Sequence, residues 1–164
     1  MTVWQAIWGF DGRISRKYYW LGSLILTIAS LIVSSAFLVG GSWLHPDAPL
    51  ETEKILSIAL LISLVLLLYP ILATSIKRLH DLNLSGWWCL PGFAPHFTYL
   101  LLPLIGLGSW NSPTLLVQVL GWGHEAVNLV WLIVLGFIRG TAGPNRYGPD
   151  PLGVDTDQIA AVFR

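Results

Sequence analysis

The chain has little charge and almost no cysteine. Only 11% of its 164 residues are charged, and nine Lys and Arg balance nine Asp and Glu for a formal net charge of zero. No nucleic-acid partner is expected. Cys89 is the single cysteine, which excludes an intrachain disulfide and a paired-thiolate metal site. It reads as a small apolar filler. HExxH, GxSxG, a Cys–His pair and paired-histidine metal spacing are all missing, so no catalytic residue, metal or cofactor is expected. There is no internal repeat and no low-complexity tract.

What the chain does have is apolar mass. Hydrophobic residues make up 54% of it, nine of its residues are tryptophan, and its mean hydropathy is +0.66. One small core could not bury that surface, whereas a bilayer solvates it. Length alone suggests one domain. The expected fold is an all-α integral membrane protein, a single membrane domain with four transmembrane helices.

From Tyr18 to Val39 there are 22 residues without a charge, enough to cross a hydrocarbon core of about 30 Å. The basic segment before them ends Gly12-Arg13-Ile14-Ser15-Arg16-Lys17. The run exceeds a signal-peptide h-region of about 7–15 residues, so an uncleaved first span over 18–39 is expected. Ser15 suits its N-cap, and Tyr18, Tyr19 and Trp20 suit an interfacial aromatic belt. Ser23, Thr27, Ser30 and Ser34 recur at helical spacing, which reads as a helix-packing seam.

A loop over Gly40–Lys54, with Asp47, Glu51 and Glu53, leads to a second span over 55–76. Pro70 should kink it near its end. Lys77 and Arg78 follow, where a helix carboxyl end favours cations. Asn83 suits a left-handed turn and Ser85 the N-cap of the next helix. The third span, 87–107, is expected to be proline-interrupted by Pro91, Pro95 and Pro103. An uncharged turn over 108–114 leads to a fourth span over 115–138. The tail, 139–164, is polar.

With four spans, eight of the nine basic residues fall on one side, Lys54 being the exception. By the positive-inside rule both termini are then cytoplasmic. That topology brings "GRISRKYYW", "KRLHDLNLSGWW" and "GTAGPNRYGPDP" to one interface. These three motifs, in this order over most of the chain, resemble a bacterial family, domain of unknown function 805, whose members are small multi-spanning membrane proteins. The resemblance implies a multi-pass protein of the bacterial inner membrane and brings no activity with it. The stretch between Trp88 and Gly140 is longer than the family's pattern, so a mechanism built on His96, His124 and Glu125 would not be a family mechanism.

Arg78 and Asp81 stand three apart and can pair on one helix face. Two readings of the cytoplasmic cluster stay open. Arg13, Arg16, Arg78, His80 and Asp81, with Ser85, Trp87, Asn145, Arg146 and Tyr147 from the flanking motifs, could form a site for an anionic headgroup or metabolite, since guanidinium binds phosphate bidentately. They could equally be an ion-pair network that pins three segments together. Gly-Pro-Asn-Arg-Tyr-Gly reads as a rigid turn rather than a phosphate-binding loop, with Tyr147 as its interfacial anchor.

In the third and fourth spans, Gln118, Gly121, Glu125 and Asn128 share a face, with His96 at similar depth. A His96–Glu125 pair could be a proton or cation path or simple packing glue, unless residues 108–128 lie at the outer interface. The leading function is a non-enzymatic membrane protein whose basic, aromatic cytoplasmic face meets lipid headgroups or a protein partner. A small oligomeric transporter using His96 and Glu125 is the alternative, four helices leaving little room for a pore. A lipid-modifying enzyme with His80 as base ranks third, for it lacks an identifiable nucleophile or metal.

Overall fold

Inside a bilayer every backbone polar group must find its partner within the segment, so long apolar runs become helices. The computed structural model describes residues 2–44, 52–108 and 113–153. Its helices are α1 (Val3–Ile7), α2 (Arg16–Leu44), α3 (Thr52–Asp81), α4 (Cys89–Leu101) and α5 (Leu115–Gly136), with a 3-10 turn at Gly86–Trp88 before α4. Among the described residues there is no strand, only an isolated bridge between Asn145 and Gly148. The loop expected over 40–54 is shorter, since α2 takes 40–44 and α3 takes 52–54. Residues 45–51, with Asp47 and Glu51, 109–112 of the turn expected over 108–114, and the tail beyond 153, with Arg164, lie outside the described residues.

Three helices, α2, α3 and α5, are long and apolar enough to cross a membrane. α4 has 13 residues, a rise of about 20 Å, short of the hydrocarbon thickness. A run of turns extends it to Gly106. The third helix is thus less interrupted than its prolines suggest. It contains Pro91 and Pro95 and ends at Leu101, two residues before Pro103. Pro91 falls in the first turn, where no N–H is needed. α3 also runs past the expected end of its span, carrying Pro70 inside it and continuing through the cationic pair to Asp81.

The short α1 is absent from the sequence reading. Its signal is Thr2-Val3-Trp4-Gln5: the Thr2 side chain caps Gln5 N–H while the Gln5 side chain accepts from Thr2 N–H, a capping box.

Polarity runs inside out relative to a water-soluble protein. Leu24, Ile28, Leu31 and Ile32 on α2, Val65 and Leu66 on α3, and Val119 and Leu129 on α5 are exposed, while Ser34, Ser57, Ser63, Thr74 and Arg78 are buried. Exposed apolar patches of this extent need a solvent of their own kind. α2 and α3 form the most extensive pairing, followed by α4 and α5. The expected small-residue seam holds for its second half, where the Ser30 and Ser34 hydroxyls meet Ser63 Oγ at 3.2 and 3.3 Å. Ser23 and Thr27 instead line a cavity.

Candidate functional site

The charged end of α3 collects the amino-terminal segment, the end of α5 and the loop after it around one carboxylate. Asp81 is 3% exposed. Its Oδ1 accepts from Arg13 Nε and Nη2 at 3.1 and 2.9 Å, and its Oδ2 from Arg78 Nη1. The Arg78 pair is the expected three-residue step on a continuing helix. Arg13, from the loop between α1 and α2, is the long-range partner.

One carboxylate cannot balance three buried cations, Arg13, Lys77 and Arg78. Backbone carbonyls do the rest. Arg78 Nε donates to Leu135 O at 2.7 Å and its Nη2 to Ile138 O. Trp20 Nε1 reaches Gly136 O at 3.1 Å, and Arg16 Nη1 reaches Phe137 O at 3.2 Å. The last two carbonyls of α5, of Leu135 and Gly136, and those of Phe137 and Ile138 just past it thus each receive a donor from α2 or α3. The negative end of the helix dipole adds to their pull on cations. Lys77 Nζ does the same for α1, donating to Gln5 O and Trp8 O at 2.6 and 2.8 Å. Gly136 is needed here, because a Cβ would come within 2.6 Å of the Trp20 ring.

The loop after α5 closes over the cluster. Thr141 donates its N–H and its hydroxyl to Asp81 O, at 2.8 and 3.1 Å. Asn145 Nδ2 donates to His80 O at 2.9 Å, and its Oδ1 accepts Tyr147 N–H at 2.9 Å. Arg13 reaches the carbonyls of Thr141, Gly143 and Gly148. Gly140 lies so close to Asp81 that a Cβ would overlap the carboxylate. Asp150 holds the loop from outside, its oxygens accepting Gly143 N–H at 3.0 Å and Leu152 N–H at 2.9 Å. Those two backbone donors, that of Leu152 first, hold its carboxyl below the usual range.

His80 stacks flat on Tyr147, ring centroids 3.8 Å apart and planes 5° from parallel. Its Nδ1 is 3.2 Å from Gly12 O, which makes that nitrogen the one carrying hydrogen. Tyr147 therefore locks the loop onto α3 more than it anchors to an interface. Arg146 lies at the rim, over the Tyr147 ring and bonded to Asn83 O at 3.2 Å.

Of the residues singled out by sequence, Arg13, Arg78, His80, Asp81, Asn145 and Tyr147 come together. Arg16 reaches α5 instead. Ser85 caps the 3-10 turn, accepting from Trp87 N–H at 3.5 Å, and Asn83 takes the expected left-handed conformation with φ of 60°. Trp87 is 79% exposed. Gly140, Thr141 and Asp150 join without having been singled out, since each acts through a fold contact that spacing does not encode.

The expected His96–Glu125 pair does not form. His96 Nδ1 lies 2.9 Å from His124 Nε2, and the Glu125 carboxylate is 70% exposed, 3.6 Å from His124 Nδ1. Neighbouring helix positions point about 100° apart, so α5 can turn only one of the two toward α4.

A family model described as "Protein of unknown function (DUF805)" matches residues 7–149, which enclose all three segments of the cluster. The chain belongs to that family. Among its relatives, "Inner membrane protein YhaI" of Escherichia coli (strain K12) is 33% identical over 153 residues, covering 92% of each chain. "Uncharacterized protein YiiR" of the same organism is 30% identical over 155 residues, 92% of this chain and 90% of its own. "Inner membrane protein YhaH", also from that strain, is 30% identical over 145 residues, 87% of each chain. With three apolar helices of membrane length, this DUF805 chain is an inner membrane protein. No solved structure matches it.

Proposed function

We propose that the protein crosses the inner membrane four times with both termini in the cytoplasm, and that its cytoplasmic face binds anionic lipid headgroups. The topology is supported by the one-sided placement of basic residues, with α4 and the turns after it as the fourth crossing. The headgroup reading rests on how the cations divide. Arg13, Lys77 and Arg78 are buried and fully engaged with Asp81 and carbonyls. Arg16, Lys17, Arg139 and Arg146 are exposed at the same end of the molecule.

Exposed aromatic rings lie in the connecting segments, Trp4 in α1 at 68% exposure and Trp87 and Trp88 between α3 and α4 at 79% and 54%, which suit the headgroup level of a bilayer. Lys and Arg beside an anionic leaflet are each worth about 1 kcal/mol of attraction. The buried network is then the scaffold that sets the outer four in place.

Electron spin resonance of spin-labelled lipids around the reconstituted protein tests this. Wild type should prefer phosphatidylglycerol to phosphatidylcholine. The variant with Arg16, Lys17, Arg139 and Arg146 all changed to Gln should lose that preference. Equal affinity for both lipids in wild type would end the headgroup reading.

A further inference from the structure

Two cavities flank the α4–α5 pair, and a line of titratable side chains joins them. The first, about 380 Å³, lies between α2, α3, α4 and α5. It runs from Tyr19 and Ser75, near the Asp81 cluster, to Ser30 and Leu60 farther along the helices. Ser23, Thr27, Ser63 and Thr74 give it hydroxyls, and His96 stands in its wall. The second, about 230 Å³, lies toward the other end of the molecule and includes Tyr99, Gln118, Gly121 and Glu125 in its lining.

Between them His124 is 8% exposed. Its Nε2 faces His96 Nδ1 at 2.9 Å and Asn128 Nδ2 at 2.8 Å. An amide nitrogen only donates, so Nε2 of His124 is the acceptor and its hydrogen sits on Nδ1. That Nδ1 is buried without a hydrogen-bond partner, and Glu125 Oε1 is 3.6 Å away. A buried unsatisfied N–H is costly, and a small turn of the exposed Glu125 side chain closes the gap. Tyr99 stacks on the His124 ring, centroids 5.0 Å apart and planes 12° from parallel, which fixes the ring's plane.

We propose that His96, His124 and Glu125 form a proton relay between the two cavities. A proton taken from solvent by His96 Nε2 makes that ring an imidazolium. Its Nδ1 proton passes to His124 Nε2, and the Nδ1 proton of His124 passes to the Glu125 carboxylate, which releases it to the second cavity. One proton enters and one leaves. Both rings end with hydrogen on Nε2, and the Asn128 amide turns its oxygen to that hydrogen. The start is restored when each ring, turned toward a cavity, takes a proton on Nδ1 and gives up the one on Nε2, an exchange with no net transfer. The other groups facing the relay are Tyr99 from α4 and, across the first cavity, Tyr19 from α2. α3 offers the cavity only the hydroxyls of Ser63, Thr74 and Ser75 as polar groups. Paired imidazoles suit the task because each ring has one nitrogen to take a proton and one to give it.

Proton entry into vesicles loaded with a pH-sensitive dye, driven by a pH gradient with valinomycin present, reads the relay directly. Wild type should conduct faster than protein-free vesicles, and His96→Gln and His124→Gln should fall to the protein-free rate. Glu125→Gln, at an exposed position, keeps the test open should a histidine variant fail to fold. It should lose most of the flux. Wild-type flux equal to that of protein-free vesicles, or full flux in folded Glu125→Gln, would overturn the proposal.

Discussion

Arg13 and Asp81 are 68 positions apart, yet two guanidinium nitrogens of one share a single carboxylate oxygen of the other at 3.1 and 2.9 Å. That contact ties the amino-terminal segment to the end of α3. Arg78, on the other oxygen, ties both to the end of α5. The cluster is a clasp with one negative centre, and its parts should fail together.

Asp81→Asn removes the only buried carboxylate among the described residues of the clasp and leaves Arg13 and Arg78 uncompensated. Breaking a buried pair by one partner costs about 3–5 kcal/mol. Thermal unfolding in detergent should show a loss of that size. Arg13→Lys should lose nearly as much, because a single ammonium cannot span the Asp81 carboxylate and the carbonyls of Thr141, Gly143 and Gly148.

Gly140→Ala should destabilise for a different reason, steric overlap with the Asp81 carboxylate. Gly123→Ala is the contrast. It lies within α5 with nothing near the site of its Cβ, and alanine there should raise helix stability by up to about 1 kcal/mol. Melting temperatures of the two variants should move in opposite directions.

In a Cys89→Ala background, single cysteines at Asn83, Leu107 and Ala142 report sidedness. Four spans with cytoplasmic termini predict that an impermeant maleimide labels position 107 from the periplasm, and positions 83 and 142 only after the inner membrane is opened. Labelling of 83 and 107 from the same side would mean that α4 does not cross.

The carboxyl of Asp150, held below its usual range by the Leu152 and Gly143 amides, gives the carboxyl-terminal loop a pH dependence. A depressed carboxyl contributes stability above its unfolded pKa and loses it as pH falls through the lower folded value. Hydrogen exchange at Gly143 and Leu152 should therefore be faster in Asp150→Asn than in wild type near neutral pH. The difference should vanish in strong acid.

Much of this was legible in local spacing. The Arg78–Asp81 step, the left-handed Asn83 and the Ser85 cap each follow from residues within one turn of each other, where helix geometry fixes who meets whom. The meeting of three motifs was legible too, through the charge asymmetry. Arg13's choice of Asp81 was not, nor was Lys77's reach to α1, since both depend on how helices are placed in three dimensions. His96 shows the same limit: which of His124 and Glu125 faces it depends on the rotation of α5, and the sequence leaves that rotation free.

The most direct test of the division between buried clasp and exposed headgroup cations pairs native mass spectrometry with thermal unfolding. Arg16→Gln/Arg139→Gln/Arg146→Gln should release its retained anionic lipid with only a small fall in melting temperature, because the hydrogen bonds of Arg16 to Phe137 O and of Arg146 to Asn83 O are exposed. Asp81→Asn should melt lower while its folded fraction keeps that lipid. Loss of lipid from folded Asp81→Asn, with full retention in the triple variant, would contradict the account and make the buried arginines the binding site.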